Sequence, residues 1–129
     1  MAGVSRSAGL ALAAALLASA LAVQPALAHA VLVRSSPPHR AVLAQAPERV
    51  DLWFNERLEA AYSTASVWSE AGTRVDARDV AVASDDPRRL SVSLATRAPG
   101  HYTVKYRVLS VDGHIVDSLI IFTVKGQKP

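Results

Sequence analysis

The sequence contains no cysteine and, after the initiator Met1, no methionine. The absence of cysteine excludes disulfide bonds, thiolate metal sites and a cysteine nucleophile. The absence of methionine removes the thioether sulfur that favours copper(I). Any metal site in this chain must therefore use nitrogen and oxygen ligands, and the fold must be stabilised by packing alone.

The sequence also lacks a strong charge of either sign. It has 14 Lys and Arg against 11 Asp and Glu, so the formal net charge is only +3. Arg88-Arg89 is the only adjacent basic pair, and no basic stripe is interleaved with aromatic residues. A nucleic-acid-binding protein usually has such a stripe, so this function class has little support.

Residues 1–28 have the composition of a secretory signal peptide. Arg6 and the initiator amine supply a positive start, residues 8–23 are apolar and rich in Ala and Leu, and small residues follow Pro25. A membrane anchor is disfavoured because the apolar run is shorter than the roughly 20 residues needed to span a bilayer. We therefore predict export to the periplasm or another extracytoplasmic space.

The predicted cleavage follows Ala28 and makes His29 the first residue of the processed chain. Ala28-His29-Ala30 has a similar small-x-small pattern, so a cut after Ala30 is the alternative and would remove His29. The metal chemistry considered below depends on which cut is made.

Residues 29–129 are enough chain for one compact domain, and their dominant hydrophobic period is two. Alternating strands are predicted with these inward-facing sets: Val50, Leu52 and Phe54; Leu90, Val92 and Leu94; Tyr102, Val104, Tyr106 and Val108. The run 115–124 is nearly continuously apolar, which predicts a strand covered on both faces.

Further strands are predicted at 30–34, 64–69 and 74–75, and the only helix-like stretch is 56–62. About seven short strands separated by Pro, Gly and Asp turns predict an all-β fold, either an antiparallel sandwich or a small Greek-key barrel.

Three residues at opposite ends of this domain suggest a metal site. An N-terminal His29 would offer its α-amine and its ring Nδ1 to one ion, and Asp112 and His114 add an oxygen and a nitrogen from one side of a turn. Three nitrogens and one oxygen in a tetragonal arrangement suit copper(II). Zinc could use the same ligands, and an ordinary Asp-Gly turn beside a surface histidine is the simpler interpretation.

The motifs read in order resemble the CopC family of periplasmic copper-resistance proteins over essentially all of residues 29–129. They are His29-Ala30-x-Leu32, Ser36-Pro37, Ala41-Val42-Leu43, Ala46-Pro47, Val50-x-Leu52-x-Phe54-x-Glu56, Pro99-Gly100-x-Tyr102-x-Val104 and Ser110-x-Asp112-Gly113-His114. The resemblance implies a Greek-key β-barrel or sandwich of immunoglobulin-like topology. It also implies copper(II) binding through His29 with its amine, Asp112 and His114.

The same resemblance implies a glutamate near the copper, at Glu56, as a weak axial ligand or a neighbour of the ligands. An exposed glutamate after a strand is the alternative. Some family members have a second, methionine-rich copper(I) site, which the lack of methionine excludes here, so the chain resembles a copper(II)-only member. The implied function is copper sequestration, delivery or resistance without catalysis, with a membrane copper transporter of the CopD type as partner.

The sequence departs from the family pattern in two places. The family commonly has glycine four residues after the histidine of the Asp-Gly-His motif, whereas Ser118 stands there in this chain. His39 and His101 occupy positions where the family does not usually place histidine. Both lie beside Pro or Gly turns, so we expect them at the surface and outside the ligand set.

Two other functions remain open from the sequence. An N-terminal histidine with a second histidine also resembles the histidine brace of oxidative copper enzymes. About 100 residues leave little room for the binding face such an enzyme needs, and Asp112 would occupy a position that oxygen chemistry keeps open. A metal-free β-sandwich accessory module is the other alternative, and copper would then leave its thermal midpoint unchanged.

Overall fold

The computed structural model describes residues 30–126, so the predicted signal peptide, His29 and residues 127–129 lie outside it. The described chain forms eight strands and one turn of 3-10 helix, Ala60–Tyr62. The strands are β1 (Leu32–Ser36), β2 (Ala41–Leu43), β3 (Arg49–Phe54), β4 (Thr64–Ser69), β5 (Ala81–Val82), β6 (Arg89–Ser93), β7 (Gly100–Leu109) and β8 (Ile115–Val124). No helix within residues 30–126 is long and apolar enough to cross a membrane.

The strands form two four-stranded sheets, with the orders β1-β3-β6-β5 and β2-β8-β7-β4. All neighbours are antiparallel except β2 and β8, which are parallel. Without β2, these orders correspond to the ABED and GFC sheets of a constant-type immunoglobulin domain. The prediction of an all-β, immunoglobulin-like fold is confirmed, and of the two architectures left open the structure shows the sandwich.

The core lies between the two sheets and contains the inward-facing residues that the alternation predicts. All three predicted sets are buried, with Val50, Leu90, Val104 and Val108 wholly inaccessible to solvent. Tyr102 stacks on Phe122 of the neighbouring strand with 5.2 Å between ring centroids. Burial of each large apolar side chain contributes about 1.5–3 kcal/mol, which compensates for the lack of disulfides.

The prediction for residues 115–124 is wrong about the outer face of the strand. Ile120, Phe122 and Val124 are buried, but Ile115, Leu119 and Ile121 expose 56%, 49% and 40% of their surface. β8 lies between β2 and β7 in a sheet that packs on the core with one face only. An apolar run in the sequence therefore does not distinguish a doubly covered strand from one with an apolar outer face.

Three local predictions also need correction. The stretch 56–62 is helical only at its end, in the 3-10 turn Ala60–Tyr62. Before that turn, Leu58 N–H donates to Pro87 O and Glu59 N–H donates to Leu109 O instead of to helical partners. Residues 74–75 do not form a strand, and Arg74 makes a single isolated bridge, to Trp68. β2 and β5 were not predicted, since two or three residues at the edge of a sheet give too short a hydrophobic pattern.

Tyr102 ties the start of β7 to the loop before it. Its hydroxyl donates a hydrogen bond to the carbonyl of Ala98, four residues upstream, as in the tyrosine corner of immunoglobulin-like domains. Tyr102→Phe is expected to lower the free energy of unfolding by about 0.5–1.5 kcal/mol, measured by urea denaturation. Tyr62→Phe is the control, because Tyr62 is 70% exposed. Equal effects of the two substitutions would show that the Tyr102 hydrogen bond contributes nothing.

Candidate metal centre

Asp112 and His114 lie in the turn between β7 and β8. The two strands are paired up to Leu109 and Ile115, so the turn is fixed at its base. Ser110 N–H donates to His114 O at 3.0 Å, and Gly113 N–H donates to Ser110 O at 2.9 Å. Gly113 has φ +91°, a conformation that favours glycine, so the Asp-Gly-His order suits this turn.

The turn brings the two predicted ligands together. His114 Nδ1 lies 3.2 Å from Asp112 Oδ2, and the two side chains are 30% and 33% exposed. Donors about 2.0–2.2 Å from one metal ion, at angles between 90° and 110°, lie roughly 2.8–3.6 Å apart. The observed separation is therefore compatible with two neighbouring ligands of one ion, and the nitrogen and oxygen donors suit copper(II).

The electrostatics of the turn favour an ionised carboxylate. The Ser110 hydroxyl donates a hydrogen bond to Asp112 Oδ1, and His114 lies beside Oδ2. The hydrogen bond from Ser110 is the largest effect and lowers the pKa of Asp112; burial opposes it, and His114 adds smaller lowering effects, so that the pKa lies below its ordinary value. Because a metal must bind the deprotonated carboxylate, Asp112 is ready for a cation near neutral pH.

The connection after β3 joins this turn to the N-terminal segment. Asn55 accepts a hydrogen bond from Val31 N–H through Oδ1 at 2.7 Å and donates its own N–H to Val31 O at 3.0 Å. Two residues further on, Arg57 O accepts the N–H of Val111, next to Asp112, at 2.9 Å. Glu56 lies between these two attachments and is half-buried.

The third predicted ligand, His29, lies outside the described residues. Within residues 30–126, no group of three or more His, Asp or Glu side chains is arranged to hold a metal ion. The neighbouring Ala30 is only 1% exposed and packs in the core. The described residues thus hold two of the three predicted ligands, and the third lies outside them.

His39 and His101 are exposed at the surface, as predicted. Both lie beside the end of β8 that is far from the turn. His39 Nδ1 accepts the N–H of Ile121 at 3.1 Å, and His101 Nδ1 lies 2.9 Å from Thr123 Oγ1. Both side chains thus contact the second half of β8, whereas Asp112 and His114 precede its first residue, Ile115.

The residue that the sequence prediction missed is Ser110. It belongs to the same Ser-x-Asp-Gly-His motif, but a serine is not a copper ligand and was passed over. In the structure it is 1% exposed and makes hydrogen bonds to both Asp112 and His114.

The chain is similar to proteins of one family over most of its length. The model of the CopC domain matches residues 32–125. Copper transport protein CutJ of Bacillus subtilis is 33% identical over 98 residues, which cover 75% of this chain and 18% of CutJ. Protein YobA of Escherichia coli K12 is 33% identical over 126 residues, which cover 97% of this chain and 100% of YobA. The chain thus spans under a fifth of CutJ but all of YobA.

Two solved structures share the fold. The crystal structure of CopC from Methylosinus trichosporium OB3b has a TM-score of 0.72 and 38% identity, covering 78% of this chain and 98% of that chain. PcoC, a methionine-rich copper resistance protein from Escherichia coli, has a TM-score of 0.65 and 30% identity, covering 76% of this chain and 100% of that chain. Unlike a methionine-rich protein, this chain has no methionine after Met1.

Proposed function

The chain belongs to the CopC family of copper-handling proteins, and we propose that it binds one copper(II) ion outside the cytoplasm and carries it as cargo. The proposed ligands are the amine and ring of His29, the Asp112 carboxylate and the His114 ring. The observation that carries the proposal is the 3.2 Å approach of His114 Nδ1 to Asp112 Oδ2 in the β7–β8 turn. Glu56, half-buried in the adjoining connection, is proposed as a neighbour of the ligands.

The hydrogen bonds of the N-terminal segment support His29 as the third residue. Val31 is tied to Asn55, and the chain two residues further on is tied to Val111 of the turn. Since an extended chain advances at most about 3.6 Å per residue, the Cα atom of a residue two positions before Val31 can be no more than about 7 Å from the Cα atom of Val31. The reference pKa values of an α-amine, about 7.7–8.0, and of imidazole, about 6.5, make both easy to deprotonate for a metal.

The donor types support copper(II) as the bound oxidation state. Thioether and thiolate sulfur select copper(I), whereas imidazole, amine and carboxylate in a tetragonal arrangement suit copper(II). The chain has no cysteine and no methionine after Met1, so sulfur ligands are excluded from the proposed site.

We also propose export and a membrane partner. The signal-like composition of residues 1–28 supports processing after Ala28, which would expose the amine of His29. In CutJ, the region similar to this chain makes up 18% of a longer copper transport protein. A membrane transporter of the CopD type is the partner we propose for delivery, with no catalytic step on this protein.

Copper(II) titration of the processed chain tests the site. The parent is expected to bind one equivalent, and His114→Ala is expected to weaken binding at least about 100-fold in competition with a chelator, because a direct ligand is worth more than the 10–100-fold of its supporting partners. His101→Ala is the matched control, since this exposed histidine bonds only Thr123 in the described structure. Equal affinity of parent and His114→Ala would contradict the proposed site.

A further inference from the structure

Ser110 is a buried hydroxyl placed between the two described ligands. Its side chain is 1% exposed, although serine is usually a surface residue. The hydroxyl donates its proton to Asp112 Oδ1 and accepts the N–H of His114 at 3.3 Å. A hydroxyl has one proton and two lone pairs, so both bonds can exist together.

The turn itself does not need this hydroxyl. The backbone bonds Ser110 N–H to His114 O and Gly113 N–H to Ser110 O close the turn without any side chain. The hydroxyl adds a separate constraint, because its bond to Oδ1 determines how the Asp112 carboxylate is rotated. With Oδ1 engaged, Oδ2 is the oxygen that lies beside His114 Nδ1.

We propose that Ser110 is a positioning residue of the copper site: its hydroxyl holds Asp112 Oδ1, so that Asp112 presents Oδ2 to the ion as a single-oxygen ligand next to His114. The inference rests on the proposed copper(II) site and adds to it which carboxylate oxygen binds and what fixes it. A carboxylate without this bond is free to rotate or to bind through both oxygens, which changes the ligand field of the ion.

Ser63 offers a matched control within the same region. It is also buried, at 8% exposure, and its hydroxyl accepts the N–H of Leu109 at 3.2 Å and lies 3.4 Å from Leu109 O. Leu109 directly precedes Ser110 in the chain, yet Ser63 touches neither Asp112 nor His114 in the described structure. Ser63→Ala and Ser110→Ala therefore both remove a buried hydroxyl, but only Ser110→Ala removes a bond to a ligand.

The test measures three properties of the processed parent, Ser110→Ala and Ser63→Ala: copper(II) affinity by competition titration, the electron paramagnetic resonance spectrum of the copper(II) form, and the thermal midpoint without copper. Ser110→Ala is expected to weaken affinity about 10–100-fold, the usual effect of losing a partner of a metal ligand, and to change the spectrum. Ser63→Ala is expected to keep the parent's affinity and spectrum. Both should lower the metal-free midpoint by similar amounts.

A double-mutant cycle shows whether Ser110 acts through Asp112. If Ser110 acts through Asp112, Ser110→Ala is expected to cause little further loss of affinity in the Asp112→Ala background, because its bond to Asp112 is already absent and only the 3.3 Å bond from the His114 N–H is lost. Additive losses, a parent-like affinity and spectrum for Ser110→Ala, or equal losses for Ser110→Ala and Ser63→Ala would each overturn the inference. If His114→Ala also bound copper(II) like the parent, the proposed site itself would be wrong, which separates the two failures.

Discussion

Asp76→Ala is expected to lower the free energy of unfolding by about 3–5 kcal/mol, as breaking a buried ion pair does when one charge loses its partner. The Asp76 side chain is wholly buried and accepts four hydrogen bonds. Two come from the Arg74 guanidinium, at 2.8 and 3.2 Å, and one each from the N–H groups of Val67 and Arg78, both at 2.9 Å. Removing the carboxylate leaves the buried N–H of Val67 without its partner in the middle of β4.

An exposed ion pair provides the control for this substitution. Asp117 lies 3.4 Å from Arg107 across β7 and β8, with side chains 68% and 58% exposed. Asp117→Ala is expected to change the free energy of unfolding by about 0.5 kcal/mol or less, since solvent screens such pairs. Urea denaturation at pH 7 measures both variants, and an Asp76→Ala effect as small as that of Asp117→Ala would contradict the role of this network.

The same carboxylate gives the protein a pH dependence whose sign can be derived. Burial alone would raise the pKa of Asp76, but the bonds from Arg74 and the amides of Val67 and Arg78 outweigh it and hold the pKa below its ordinary value. A group with a lowered folded pKa stabilises the fold above its unfolded pKa, about 3.9, and this contribution is lost as the pH falls through the folded value. Asp76→Asn should therefore flatten the acid side of the curve of unfolding free energy against pH.

One glycine added before His29 of the processed chain is expected to weaken copper(II) binding by about 10²–10⁴-fold. The added peptide bond converts the α-amine into an amide whose nitrogen is no longer a basic donor. The amine and ring of one residue are held at a high effective concentration for each other, so losing one of them removes a gain of this size. Competition titration compares the extended and parent chains.

A glycine added after Pro129 serves as the control, because it changes the length equally and leaves the amine free. This variant is expected to bind copper(II) like the parent. Parent-like affinity of the N-terminal extension together with a parent-like electron paramagnetic resonance spectrum would mean that the amine of His29 is not a ligand, even if Asp112 and His114 were.

The regular part of the fold could be predicted from the sequence because each strand there buries one face. Period-two alternation identified the inward residues of β3, β6 and β7, and all of them are buried. The Ser-x-Asp-Gly-His motif predicted that Asp112 and His114 would lie together, and the structure places them 3.2 Å apart. Local spacing was sufficient here because the whole pair lies within one five-residue turn.

The features that the sequence did not reveal depend on contacts between distant residues. Asp51 alternates as an outward residue but is buried, because Arg49 at 2.9 Å and Ser91 of β6 bond its carboxylate. Residues 56–62 favour a helix locally, yet their backbone pairs with β7 and with the loop before β6. Ser110 was missed for a different reason, since its role is to hold a ligand and not to be one.

A native mass spectrum of the exported protein, recorded with and without one equivalent of copper(II), tests the central claim most directly because it reports the cleavage site and the stoichiometry together. The predicted result is a chain of residues 29–129 that gains the mass of one copper ion. A chain of residues 29–129 that gains no copper, or a chain beginning at Val31 that also gains the mass of one copper ion, would contradict the account.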